Sequence, residues 1–265
     1  MVRLCDSEAV RQDFLAGVFG AAVGCQMEMV LQVYGDTDPQ TNAWAVYSDN
    51  QAACGGILFS AGSLFVCLNR QEGADDCAQF LRFLFPGAQV ECDGKTAEWL
   101  APFGYAAIRT GDTLRYAVPA GQRQIPMGYH VPQELRLSDL YDLLCTCFED
   151  FSRQQERAAF LADVFLKKRY GARLQGLCKG DRLCAAAGIY AVGRPSALLS
   201  AVATAPEHRG RGLAGCLVTQ LCREQAARGK EVFVMTRRPS LTRFYQNLGF
   251  IICGRWAVLK ETKNG

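Results

Sequence analysis

One stretch limits the fold more than any other: Val202-Ala-Thr-Ala-Pro-Glu-His-Arg-Gly-Arg-Gly-Leu-Ala-Gly215. An apolar run ends at Pro206, a residue that cannot donate to a sheet ladder. Gly210 and Gly212 follow, and then Leu213, Leu217 and Leu221 recur at helical spacing. A strand must therefore pass through a glycine loop straight into a helix, which is an α/β arrangement. Glycine lets backbone amides approach a ligand and take positive φ. At a helix start those amides converge where the dipole favours anions, by about 0.3–1 kcal/mol per charge. Arg209 and Arg211 add positive charge, so the loop has the make-up of a pyrophosphate cradle.

The pattern around the loop extends over the second half of the chain. A helix is expected from Ser138 to Phe151, with Leu140, Leu143, Leu144 and Cys147 on one face. Ser152 is placed to cap the next helix, which runs to about Arg169. Strands are expected at 173–179, 183–191 and 197–204, and a helix at about 212–228 with Gly229 as its left-handed C-cap. A strand Lys230–Met235, a short helix Ser240–Leu248 and a closing strand 250–260 complete the order ααβββαβαβ. In the first half, the apolar run Phe14–Tyr34 is interrupted by Gln26, Glu28 and Gln32, which makes it a poor membrane span. An amphipathic helix broken near Gly24 fits it better.

The two halves echo each other. Glu98-Trp-Leu-Ala-Pro-Phe-Gly-Tyr105 resembles Arg243-Phe-Tyr-Gln-Asn-Leu-Gly-Phe250, 145 residues later. Leu114-Arg-Tyr-Ala-Val118 resembles Gly254-Arg-Trp-Ala-Val258, 140 residues later, and Gly55-Gly-Ile-Leu-Phe59 resembles Ala187-Gly-Ile-Tyr190. Echoes in the same order suggest a duplicated fold. Pro119, Pro126 and Pro132, with Gly121 and Gly128, mark a linker near 119–131. The division is therefore residues 1–122 and 130–265.

Composition excludes several functions. With 49% hydrophobic and 21% charged residues, the 265-residue chain is neither disordered nor fibrous. A net charge of +3 is too small to indicate nucleic acid. The thirteen cysteines are scattered through apolar runs without Cys-x-x-Cys, and only His130 and His208 could join them. No metal site is expected from such spacings. The start MVRLCDSEAVRQDF has no apolar signal segment, so the cysteines are expected to be reduced core residues of a cytoplasmic protein. No membrane partner is expected, and a homodimer stays open.

Two nucleotide cofactors compete for the cradle. Gly210-x-Gly212-x-x-Gly215 has the spacing of the dinucleotide fingerprint. Against that reading, Pro206 ends the strand four residues before the first glycine, and Glu231 opens a strand where a ribose-binding acid should close one. The 50 residues after Gly215 are too few to finish a doubly wound sheet.

The segment Arg209-Gly-Arg-Gly212-Leu-Ala214 instead resembles motif A of the GNAT acetyltransferase family, Arg/Gln-x-x-Gly-x-Gly/Ala. Pro206 upstream and Phe244-Tyr245-Gln-Asn-Leu-Gly249-Phe250 downstream extend the likeness, which covers about residues 130–265. With the echoes of the first half, the whole chain resembles a tandem GNAT protein. The resemblance implies two acyl-CoA N-acyltransferase-like domains, each a mixed, mostly antiparallel sheet flanked by helices. It also implies acetyl-CoA as co-substrate and a small-molecule or peptide amine as acceptor. By the resemblance, the pyrophosphate would sit on the amides of Arg209, Gly210, Arg211, Gly212, Leu213, Ala214 and Gly215. The pantetheine would lie along Val202, Ala203 and Thr204, where an amide would polarise the thioester carbonyl. Tyr245 would protonate the departing thiolate, and a phenol of pKa about 10 suits a thiolate leaving group.

Two features depart from the family. The strand Glu231-Val-Phe-Val-Met235 carries no inner Glu to serve as general base, and Arg238 stands near the place of a usual Asn. Either an already neutral amine attacks directly or Glu149-Asp150 supplies the base. Arg237, Arg238 and Arg243 could meet the nucleotide's phosphate or form a solvated face. The first half has Asn69-Arg-Gln-Glu-Gly-Ala-Asp-Asp-Cys77 in place of the loop, with Glu72, Asp75 and Asp76 set to repel a pyrophosphate. Leu100 stands at the position of Tyr245. That half is expected to be a degenerate copy, with one active site in the second. The missing base leaves a second function open, a non-catalytic acyl-CoA-binding sensor.

Overall fold

The computed structural model describes residues 1–117, 121 and 123–262. Residues 119, 120 and 122 of the expected linker, and Val118 of the second echo, lie outside them. The first half contains β1 (Val2–Leu4), α1 (Glu8–Gly17), α2 (Ala22–Tyr34), β2 (Asn42–Tyr47), β3 (Ala53–Ser60) and β4 (Ser63–Leu68). It continues with α3 (Ala74–Leu84), β5 (Val90–Asp93), α4 (Gly94–Leu100) and β6 (Tyr105–Tyr116). The second half contains α5 (Leu137–Cys147), α6 (Phe151–Gln154), α7 (Arg157–Arg169), β7 (Arg173–Lys179), β8 (Arg182–Val192) and β9 (Ser196–Thr204). It closes with α8 (Leu213–Ala226), β10 (Glu231–Thr236), α9 (Pro239–Gln246) and β11 (Phe250–Glu261).

All eleven strands form one sheet in the order β1-β2-β3-β4-β5-β11-β6-β10-β9-β8-β7. Two neighbouring pairs are parallel, β4 with β5 and β9 with β10; the others are antiparallel. The two halves exchange strands at the centre. The last strand, β11, lies between β5 and β6 of the first half, and β6 in turn lies between β11 and β10. β6 and β11 pair antiparallel from Phe250↔Tyr116 to Glu261↔Tyr105. Each half thus completes its sheet with the other's final strand.

The echo at 98–105 and 243–250 now has a physical cause. Gly104 and Gly249 take φ of 80° and 92°, the left-handed conformation that ends a helix. The aromatic that follows each, Tyr105 or Phe250, is the first buried residue of the exchanged strand.

α2 packs between the halves. Val23, Met27 and Leu31 meet Phe14, Leu58 and Phe65 of the first half, whereas Cys25, Met29 and Val33 meet Ala191, Leu198 and Phe233 of the second. A helix buried on nearly all sides reads as apolar all round, which accounts for the membrane-like run. Among the described residues no helix is long and apolar enough to cross a membrane. The expected break at Gly24 falls instead between Gly17 and Ala22, where Gly20 takes φ of 82°. Gly24 is glycine for another reason: a Cβ there would run into the Val18 carbonyl oxygen.

The expected cap at Ser152 is also displaced. Ser152 lies within the one-turn α6, and α7 is capped by Glu156, whose carboxylate accepts from the amides of Ala158 and Ala159 at 3.0 and 2.9 Å. A charged contact with a buried member joins the halves. Buried Glu28 of α2 accepts from Arg194 Nε at 2.7 Å and from the Arg194 amide at 2.9 Å, on the β8–β9 turn.

Candidate active site

β9 and β10 pair from Ser196/Glu231 to Leu198/Phe233 and then part. β10 keeps pairing with β6 as far as Thr236, and β9 keeps pairing with β8 as far as Thr204. A wedge opens between them. At its mouth β9 bulges: Ala201 and Val202 stand opposite the single Ala187, and Ala201 takes a φ of 51°. A non-glycine residue in that region costs about 1–2 kcal/mol. Strain of this kind concentrates where function needs it.

On one face of the sheet the wedge forms a cavity of about 750 Å³, lined by β9, the glycine loop, α8 and α9. Gly210 and Gly212 take φ of 76° and 78°, and a Cβ built on either meets no atom within 4 Å. Gly212 is the N-cap residue of α8, and no side chain among the described residues caps the helix. The first-turn amides of α8 are therefore left for another acceptor. Arg209 Nε bonds the Thr204 carbonyl at 3.1 Å, which fixes the loop to the end of β9.

The residues expected to hold the cofactor all line this cavity, but they can do so in different ways. Leu213 and Ala203 are buried in separate cores, so their side chains are committed to packing and only backbone is on offer. Gly215 packs closely: a Cβ there would sit 3.4 Å from Leu248 Cδ2. It lets α8 approach the α9–β11 turn, whereas Gly210 and Gly212 face open space.

Tyr245 lines the same cavity and is only 5% exposed. Its ring stands against Phe244 and Phe250, with centroids 5.1 and 5.4 Å away. Burial, with a smaller contribution from the nearby Cys222 thiol, pushes its phenol well above the ordinary value. The proton stays on oxygen at neutral pH.

On the opposite face the same wedge opens into a second cavity of about 720 Å³. Cys147, Phe148, Ser200, Ala201 and Arg238 line both cavities, so the strained bulge is their junction. α2 of the first half contributes Gln26 to the second cavity. Its Tyr34 hydroxyl donates to Asp163 at 2.7 Å, and Lys167 holds the other carboxylate oxygen at 2.8 Å. The Tyr190 hydroxyl on this wall is buried without a partner among the described residues. Glu149 and Asp150, the candidate bases, are exposed at the rim, and Asp150 is paired with Arg153 at 3.3 Å. Arg237 lines the second cavity, Arg238 both, and Arg243 is exposed on α9.

Sequence reasoning did not find Gln26, Asp163 and Tyr190 of the second cavity, nor Tyr34 behind Asp163. They come from α2, α7 and β8, with no shared motif. Cys147 carried a signal for a core helix face and nothing more. Its Sγ is 3.3 Å from the Thr204 carbonyl, and burial raises its pKa in spite of Arg209.

The matching wedge of the first half is closed. β4 and β5 also part, after Val66/Cys92. There the Leu68 amide donates to Thr96 Oγ1 at 2.9 Å, and Asp93 takes the Thr96 amide and hydroxyl at 3.0 and 2.9 Å. By register Leu68 corresponds to Ala201, each following the partner of Gly56 or Gly188. The remaining loop glycine, Gly73, is packed: a Cβ would lie 2.8 Å from Val46 Cγ1. Asp75 and Asp76 open α3, and fully buried Leu100 fills the position of Tyr245.

Residues 174–257 match the family described as FR47-like protein. Solved structures agree with the whole chain in fold. A Drosophila protein covers 100% of this chain and 99% of its own at 14% identity, with a TM-score of 0.67. A tandem GNAT protein from the clavulanic acid biosynthesis pathway covers 98% of both chains at 14% identity, with a TM-score of 0.64. An acetyltransferase of the GNAT family from Colwellia psychrerythraea covers 99% of this chain and 100% of its own at 13% identity, with a TM-score of 0.62. No match to a curated protein was found. The FR47-like match across β7–β11 and the whole-length likeness to a tandem GNAT protein together place the chain's architecture: it has the tandem GNAT fold.

Proposed function

We propose that the second half binds acetyl-CoA and transfers its acetyl group to the primary amine of an acceptor. One observation carries the reading: an uncapped helix start behind two open, positive-φ glycines shares one cavity with a strained strand edge and a protonated, buried Tyr245. The open space over Gly210 and Gly212 fits a phosphate group, since no side chain of the described residues fills it. Amides 210–215 and Arg209 would hold the pyrophosphate, and the edge of Val202–Thr204 would hold the pantetheine arm. Bound acetyl-CoA supplies an activated thioester.

The amine nitrogen bonds to the thioester carbonyl carbon, and the carbon–sulfur bond breaks. Backbone amides at the bulge stabilise the developing oxyanion. Tyr245 gives its proton to the departing sulfur. The amine enters from the second cavity and reacts as the free base; its excess proton leaves to solvent at the exposed rim, and Tyr245 takes a proton back from solvent before the next turnover. The first half, residues 1–122, supports the acceptor wall through Gln26 and Tyr34 without binding a second cofactor. The many buried, free cysteines support residence in a reducing compartment, the cytoplasm.

The apolar inner face of β10, Val232 and Val234, favours a second reading, a non-catalytic acyl-CoA sensor. Turnover decides between them. Acetyl-CoA at 100 times its Kd should stabilise the protein by about 2.7 kcal/mol in either case. Only the enzyme forms acetylated product with an amine panel. Product is best followed by mass, because Cys253 is an exposed free thiol that would add to a thiol-reagent signal. No thermal shift with millimolar acetyl-CoA refutes both readings.

A further inference from the structure

The charges of the second cavity are unevenly spent. Asp163 is satisfied by Tyr34 and Lys167, and Asp150 by Arg153. Arg237 and Arg238 line the cavity without an ion pair among the described residues, and Glu149 is the one lining carboxylate left over. Two guanidinium groups therefore face one free carboxylate. Arg238 lies at the junction with the donor cavity, beside Ser200 and Ala201 where the acetyl carbonyl would lie. The opposite wall is aromatic: Phe151 and Tyr190 flank Phe160, with centroids 5.5 and 6.3 Å away.

Resting on the acetyl-transfer reading above, we infer that the acceptor is an α-amino acid, its carboxylate held by Arg237 and Arg238 and its side chain lying against the Phe151–Phe160 wall. Spacing supports this choice. Arg238 reaches the reaction junction, so the anionic group it binds must sit next to the attacking nitrogen. In an α-amino acid a single carbon separates the two. A polyamine would bring further positive charge beside both arginines and is disfavoured by the same field. Arginine suits the role because its planar donors match a carboxylate bidentately.

The test compares matched pairs on the full chain: L-phenylalanine against phenethylamine and L-leucine against 3-methylbutylamine, with spermidine as the opposite-charge control. The charge-assisted hydrogen bond that only the carboxylate can make, in a half-open site, should favour each amino acid by about 10- to 100-fold in kcat/KM. In Arg237→Ala that preference should shrink to within about threefold, and in Arg237→Glu it should reverse. Arg237 does not line the donor cavity, so the acetyl-CoA thermal shift should persist in both variants and shows that they are folded. Equal rates for amino acid and decarboxylated amine, or a preference that survives Arg237→Glu, overturn the inference while leaving acetyl transfer standing. Faster turnover of spermidine overturns it as well. Loss of acetyl-CoA binding in the unmodified protein instead removes the donor reading itself.

Discussion

Gly212→Val should separate binding from folding. At φ of 78°, any L side chain is strained, by about 1–2 kcal/mol. The new Cβ meets no atom within 4 Å, so no clash adds to that cost. For a chain of this size the melting temperature should fall by only about 2–8 °C. The valine methyls would, however, occupy the space in which a phosphate meets the α8 amides. Losing two charge-assisted hydrogen bonds at about 1.5–3 kcal/mol each gives about 3–6 kcal/mol, or 10²- to 10⁴-fold in Kd. Gly87→Val is the matched control: Gly87 has a φ of 73° and equally open surroundings, but it lies in the first half between α3 and β5. Calorimetric titration with acetyl-CoA should show weakened binding in Gly212→Val and parental affinity in Gly87→Val. Binding by Gly212→Val within about threefold of the parent, or an equal loss in Gly87→Val, refutes the cradle.

Other expectations concern Tyr245, the Glu28–Arg194 contact and the exchanged strands. Tyr245→Phe should lower kcat by about 10²-fold with little change in acetyl-CoA Kd. Because burial raises the phenol, its ionisation should not limit the rate below the ordinary value near 10. An alkaline limb below pH 9 that vanishes in Tyr245→Phe would count against that role. Glu28→Ala leaves the Arg194 amide without its acceptor and a half-exposed guanidinium without its partner, at about 2–4 kcal/mol. Chemical denaturation measures this, and a loss under about 1 kcal/mol would show the contact between the halves to be incidental. A fragment of residues 126–265 removes both neighbours of β11 and one of β10, so it should not form a stable monomer. A folded, monomeric fragment by circular dichroism and sedimentation would show that the shared sheet is dispensable.

Local elements of the second half were legible because their signals are local. The strand 173–179 is found as expected, and the helix expected at 212–228 is Leu213–Ala226. The glycine loop was legible for the same reason, since both glycines serve φ rather than packing. The strand exchange was not. β6 and β11 each have the pattern of an ordinary closing strand, and nothing in a strand's own residues names its neighbour. The echo of Leu114 and Gly254 shows the limit: the 145-residue offset of the first echo aligns Leu114 with Leu259, five residues further on. That second likeness is a slipped match. The run Phe14–Tyr34 misled as to its break because Gly24 looks like a helix breaker, whereas its missing side chain serves the close approach to Val18. The second cavity was illegible for a topological reason. Its walls come from α5, α6, α7, β8, β9 and the turn after β10, with α2 of the first half adding Gln26, so no single stretch of sequence carries them.

The central claim is a single acetyl-CoA site, in the second half of a duplicated fold. Calorimetric titration of the full chain with acetyl-CoA tests it most directly. The open cradle at 210–215 and the closed first-half wedge, where Thr96 already holds the Leu68 amide, require one site per chain. That site should weaken by at least about 10²-fold in Gly212→Val and keep its affinity in Thr96→Val. Two sites of similar affinity, or one whose affinity in Gly212→Val stays within about threefold of the parent, would contradict the account.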